Sequence, residues 1–195
     1  MSRKIALHRA TNETDVTVKL DLDGKGKTDI DTGIGFLDHM LIQLAVHGML
    51  DLYIKCQGDI EVDGHHTVED IGIVLGKCFA GAVGNKKDIN RYATIFLPMD
   101  ESMAMVSIDI SGRPYLYYEI PLMTPMVGDF DTQLVEEFFR AFAVHGGMTL
   151  HIKVLYGKNT HHMIEAIFKA FARAINKAAS LNPGSGLLSS KGILD

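Results

Sequence analysis

A chain of 195 residues that is 47% hydrophobic and 22% charged can bury a core of normal size and is too apolar to remain disordered. Its net charge of −5, with Lys and Arg scattered along the chain, excludes the clustered basic footprint of a nucleic-acid or anionic-membrane binder. The opening MSRKIA lacks the apolar stretch of a secretory signal. The longest apolar-rich run, residues 36–50, is interrupted by Asp38, His39, Gln43 and His47, so no membrane span and a cytoplasmic location are expected.

Residues 15–22 (DVTVKLDL) alternate as a half-exposed strand should. Residues 38–47 form a helix stopped by Gly48. Residues 50–56 read as a strand and 58–64 as a loop. Residues 65–83 read as a second helix, against which Gly72, Gly76 and Gly81 count. Cys56 and Cys78 lie in these apolar-rich segments, as thiols of a reducing compartment would. The later elements are residues 103–110 and 115–120 as strands, 132–145 as a helix, 149–156 as a strand and 161–179 as a helix. The tail opens with NPGSG from Asn182, a flexible linker over residues 181–195 that leads to LLSSKG. Sheets with helices on one face, an α+β architecture, is the simplest arrangement.

The chain repeats itself. Residues 36–55 (FLDHMLIQLAVHGMLDLYIK) lie over residues 134–153 (LVEEFFRAFAVHGGMTLHIK) at a shift of 98, with seven identities that include the run AVHG. HHTVEDI from His65 lies over HHMIEAI from His161 at a shift of 96. A fainter match at a shift of 88 puts Glu13 over Glu101. Three matches in the same order indicate one domain of two duplicated halves, about residues 1–90 and 91–195.

The doublets carry the chemistry. Chance gives roughly 0.02 HHxxE matches in a chain of this composition, and there are two. On a helix the first His and the Glu share a face, while the second His sits ~100° around the axis, so one doublet offers ligands in two directions. Imidazole with carboxylate suits Mn²⁺, Fe²⁺ or Zn²⁺ and argues against a thiolate-type structural zinc site. His39, Gln43 and His47 line one face of the preceding helix; the repeat carries Glu137, Ala141 and His145 there. His161, Glu165 and Lys169 form another line that sets a cation beside the metal group. Anion-binding candidates are Arg91, Arg113, Lys169 and Lys191.

FLDHML from Phe36, GDIEVDGHHTVEDIG from Gly58, PMDES from Pro98 and NTHHMIEAIFKA from Asn159 resemble the imidazoleglycerol-phosphate dehydratases, as do RATNET from Arg9 and SSKG from Ser189. The resemblance spans essentially the whole chain. It implies conversion of D-erythro-imidazole-glycerol phosphate to imidazole-acetol phosphate and water in histidine biosynthesis. It implies two manganese ions per site and a fold of two fused ribosomal-protein-S5-domain-2-like halves, sheets with helices packed between them. It also implies a hollow shell of twenty-four subunits with active sites between them. By position, the implied metal ligands are His39, His65, His66, Glu69, Glu137, His161, His162 and Glu165; some family members have histidine at the position of Glu137. Glu13 matches the acid/base glutamate and His47 another active-site position, and Glu165 is counted as catalytic as well as a ligand. Gln43, Arg91, Arg113, Lys169, Ser189 and Lys191 match the phosphate cradle.

The implied reaction breaks a C–H bond that has no neighbouring carbonyl. Our hypothesis is that the substrate's ring binds as an imidazolate between two metals, which serve as Lewis acids and template. A diazafulvene-like species forms as the hydroxyl leaves, Glu13 moves the proton at carbon, and the enol ketonises. Two other readings stand beside this one: a dinuclear metallohydrolase, and a ferritin-type metal-storage shell. Bundle-core storage sites use Glu-x-x-His on long helices, the reverse of the order here.

Overall fold

The structure, a computed structural model, describes residues 3–121 and 123–194, so the two ends of the expected 1–195 domain lie outside the described residues. The first half runs β1 (Lys4–Ala10), β2 (Thr14–Asp21), β3 (Thr28–Asp31), α1 (Gly35–Gly48), β4 (Asp51–Gly58) and α2 (His65–Val83). The second runs β5 (Tyr92–Met99), β6 (Ser102–Asp109), β7 (Tyr115–Glu119), β8 (Met126–Val127), β9 (Phe130–Asp131), α3 (Leu134–Gly146), β10 (Thr149–Tyr156) and α4 (Thr160–Ala179). The two four-stranded sheets have the same topology, β1-β2-β4-β3 and β5-β6-β10-β7. In each, the first three are antiparallel neighbours and the last strand joins parallel to its neighbour. Duplication explains both the repeated order and the shared mixed polarity.

Alternation decides which face of each sheet turns inward. Val16, Val18 and Leu20 of β2 are buried while their neighbours are exposed or half-buried, and Ala104, Val106 and Ile108 of β6 are buried between half-buried neighbours. Helix α2 covers the inner face of the first sheet and α4 that of the second; α2 packs on α3, and α1 on α4. Four helices therefore fill the space between two sheets. Their contact is a phenylalanine cluster in which Phe138, Phe139, Phe142, Phe168 and Phe171 are fully buried, with the Phe139 and Phe168 rings 4.9 Å apart. Rings of this size supply the largest single contributions to the apolar core.

The glycines that weigh against α2 in the sequence are what lets it pack. A Cβ on Gly72 would stand 2.8 Å from the Phe138 carbonyl oxygen, and one on Gly76 2.8 Å from that of Phe142. The backbones of α2 and α3 can approach this closely only because neither position has a side chain. Helix α1 ends one residue later than expected, with Met49 in the left-handed conformation (φ 54°), its N–H on the Val46 carbonyl and the Leu50 N–H on that of Ala45.

Residues 120–133 stand where the first half has only residues 32–34, and the extra chain folds into the β8–β9 hairpin. The tail is tied down, in contrast to the free linker expected. Asp88 accepts from the Gly184 and Gly186 amides through its carboxylate and from the Asn182 amide through its carbonyl. Among the described residues no helix is long and apolar enough to cross a membrane.

Candidate functional site

Helices α1 and α4 bring the first group together. His39 lies on the second turn of α1, and His161 and Glu165 on the first turns of α4. The Nε2 atoms of His161 and His39 lie 3.1 and 3.6 Å from the same carboxylate oxygen, Glu165 Oε2. The three ligand atoms fall within 4.8 Å of one another, and this is the one such group of three among the described residues. The other Glu165 oxygen is held by Lys169 Nζ at 2.5 Å. Burial pushes the Glu165 carboxyl upward, but Lys169, with His39 and His161 assisting, outweighs it and holds the group below its ordinary range. One and two turns further along α1, Gln43 Oε1 and His47 Nε2 meet at 3.1 Å. Burial, then Lys169 and Arg173, push His47 below its usual value.

Packing fixes the ring of His161. Phe36 meets it edge-on at 5.2 Å, and Phe36 in turn contacts Phe130 of the β8–β9 hairpin at 5.1 Å. The hairpin closes one side of an 880 Å³ cavity lined by His39, His65, His161, Phe36, Asp63 and Asp129. The first histidines of both doublets thus open onto one cavity.

The second histidines point elsewhere, as one further helical position requires. His66 donates from Nδ1 to Asp59, 3.0 Å away, and its Nε2 lies 3.7 Å from Glu13. His162 donates from Nδ1 to Glu101 at 2.7 Å, and its Nε2 lies 3.7 Å from Asp100. Asp59 raises the His66 pKa and Glu101 raises that of His162, each chiefly through the hydrogen bond. Glu13 is 55% exposed and its carboxylate makes no hydrogen bond among the described residues. Asp59, Asp100, Phe36 and Phe130 are absent from the sequence-based site. The alternating acids at Asp59, Glu61 and Asp63 were the one visible hint.

Other candidates fall outside these groups. Glu137 pairs with Arg140 at 3.5 Å on α3 and does not join His65 and Glu69 in a group as compact as the first. Arg91 is buried, grips Asp109 with two nitrogens at 2.8 and 3.1 Å and bonds the Leu188 carbonyl. Arg113, 62% exposed, reaches the same carboxylate at 4.0 Å. Ser189 Oγ donates to the Ile193 carbonyl and accepts from the Lys191 amide. These four residues gather at the far end of α4, where the Arg91 amide bonds the Ala178 carbonyl. Sixteen helical residues separate Ala178 from His162, or about 24 Å at 1.5 Å per residue. Both thiols lie apart from these groups, and burial pushes Cys56 and Cys78 up to about 11, so they stay protonated.

Comparison with known proteins identifies the family. The family model for imidazoleglycerol-phosphate dehydratase matches residues 32–175. The chain is 59% identical to the imidazoleglycerol-phosphate dehydratase of Clostridium novyi over 194 residues, 99% of each chain. It is 57% identical to that of Alkaliphilus metalliredigens over 195 residues, the full length of both. The crystal structure of the Staphylococcus aureus enzyme superposes with a TM-score of 0.83 at 44% identity, covering 91% of this chain and 99% of that one. The Pyrococcus furiosus enzyme does so with a TM-score of 0.84 at 34% identity, covering 96% and 100%. Sequence, fold and full-length coverage agree, and the chain belongs to the imidazoleglycerol-phosphate dehydratase family, the hydro-lyases of histidine biosynthesis.

Proposed function

We propose that the chain dehydrates D-erythro-imidazole-glycerol phosphate to imidazole-acetol phosphate with the help of two divalent cations, Mn²⁺ first among them. The observation that carries this reading is the convergence of His39, His161 and Glu165 on one point. Two imidazole nitrogens and a carboxylate oxygen within 4.8 Å, with no thiol near, are a donor set that fits Mn²⁺, Fe²⁺ or Zn²⁺. His39, His161 and Glu165 would hold one ion, and His65, His66, Glu69, Glu137 and His162 would complete the ligand set. A cation there supplies Lewis acidity that makes the substrate's ring a better electron acceptor.

The side chains do the rest. Glu13, a free carboxylate beside His66, takes the proton from a carbon that no carbonyl activates. The hydroxyl on the ring-bearing carbon leaves as water, and the resulting enol takes a proton on that carbon to become the ketone. Gln43, Lys169, Arg113 and Lys191, with Arg91 and Ser189, hold the phosphate and so fix the position of the reacting carbon. Lys169 also keeps Glu165 ionised and ready to ligate.

Within one chain, about 24 Å of α4 separates the tail cluster from the second doublet. No small phosphorylated imidazole bridges that distance, so the tail of one copy serves the histidines of another. This supports a homo-oligomer with sites between subunits, of which a shell of twenty-four is the form we infer. Mixed assembly tests it. His161→Ala chains and Arg113→Ala chains, each inactive as pure assemblies, regain activity when assembled together, because some sites receive both intact parts. No recovery in verified mixed assemblies would place each site within one chain.

A further inference from the structure

The two halves orient their second histidine with residues that are not equivalent in sequence. Around His66, Asp59 holds Nδ1 from 3.0 Å and Glu13 stands 3.7 Å from Nε2. Around His162, Glu101 holds Nδ1 from 2.7 Å and Asp100 stands 3.7 Å from Nε2. The sequence repeat aligns Glu13 with Glu101, yet in space Glu101 does the work of Asp59.

The exchange has a steric cause. At the shift of 98, Asp59 lies over Gly157. A Cβ at Gly157 would come within 2.5 Å of Met163 Cγ and 2.6 Å of Ser102 Oγ, so an aspartate cannot stand there without moving its neighbours. Residues 157–159 also make a shorter link than residues 59–64, which leaves the second half without a loop acid. Glu101, from the β5–β6 turn, fills the position. Its Oε1 accepts from the Asn159 amide at 2.7 Å, the Lys158 amide at 3.2 Å and Ser102 Oγ at 3.0 Å. Its Oε2 is thereby aimed at His162.

A carboxylate only accepts, so the proton of the neutral His162 ring sits on Nδ1 and the lone pair on Nε2. We propose that Glu101 is a positioning residue: it fixes the ring and tautomer of His162 so that Nε2 is presented to a divalent cation, as Asp59 does for His66, and this division of labour leaves Glu13 as the mobile acid/base. Acceptors of this kind behind a metal-binding imidazole change metal affinity by ~10–100-fold when removed. The inference rests on the metal reading above.

Chelator-stripped, reassembled protein titrated with Mn²⁺, with free ion followed by its electron paramagnetic resonance signal, tests it. E101A and D59A should each bind Mn²⁺ ~10–100-fold more weakly than wild type, and excess Mn²⁺ should restore much of their turnover. E13A should bind Mn²⁺ within about twofold of wild type, and metal should not rescue it. Wild-type affinity in E101A overturns the proposal; wild-type protein that binds no Mn²⁺ overturns the metal reading and the proposal with it. Should E101A fail to fold, E101Q keeps an oxygen for the loop amides and is compared with E13Q. Weaker binding by about threefold or more in E101Q alone supports the assignment, and equal binding in the two overturns it.

Discussion

The first and second halves share a topology and a His-His-x-x-Glu helix, but only one of the two helix pairs assembles a compact ligand group. On α1 and α4, His39, His161 and Glu165 meet. On α3 and α2, the matching Glu137, His65 and Glu69 do not, and Glu137 turns to Arg140. Some similarity persists deeper in the pair: His47 feels Glu165 and Arg173, and His145 feels Glu69 and Lys77, the residue that aligns with Arg173. The halves have kept a common scaffold while their acids were redistributed. The first half has a free glutamate and an aspartate in the loop after β4; the second has a locked glutamate and the β8–β9 hairpin. A duplicated fold thus yields two halves whose doublets have unlike surroundings.

Four perturbations separate these parts. The largest effect belongs to the compact group. Chelation should abolish turnover and Mn²⁺ restore it, and His161→Ala should cost more than the ~10–100-fold typical of a supporting residue. Full activity in metal-free protein, verified by elemental analysis, would contradict the mechanism. Next comes the free acid of the first half. Glu13→Gln should lower kcat by ~10²–10⁴-fold with KM little changed, since a proton carrier acts in the transition state. A change confined to KM would assign it to binding instead.

The hairpin peculiar to the second half follows. Phe130 is 4% exposed and supports Phe36, which supports His161. Phe130→Ala should cost about 3–5 kcal/mol of stability in denaturant unfolding. It should also loosen Mn²⁺ binding; an unchanged midpoint and affinity would show that the hairpin is ornamental to the site. The smallest effect is at the tail. Lys191→Ala should raise KM about tenfold, the loss of one hydrogen bond to a charged group, while kcat holds. An unaltered KM would remove Lys191 from the phosphate cradle.

Much of this was legible in the sequence. Period-two alternation marked β2 and β6, whose inner faces are fully buried, and β4 and β10 were equally clear. Of the four edge strands in the two four-stranded sheets, β7 was read and the others were not: β1 has mostly exposed residues and β3 is the four-residue TDID, so neither carries a burial pattern. The doublets stood out because paired histidines are rare. The hairpin registered only as a step in the repeat, from 88 to 98, with no sign of its fold. The Asp59–Gly157 difference was in plain view in the aligned sequences, but its meaning depends on Met163 and Ser102 crowding Gly157, which is tertiary information. The tail looked free because NPGSG is linker-like in composition; what holds it are Asp88, through its carboxylate and backbone, and Arg91, both far away in sequence.

A manganese anomalous-difference map of crystals grown from the active assembly goes straight to the ligand set. The account requires one peak amid His39, His161 and Glu165 and density facing the Nε2 atoms of His66 and His162, with a neighbouring copy's tail alongside. Crystals that turn over substrate yet show no peak at those side chains would contradict it.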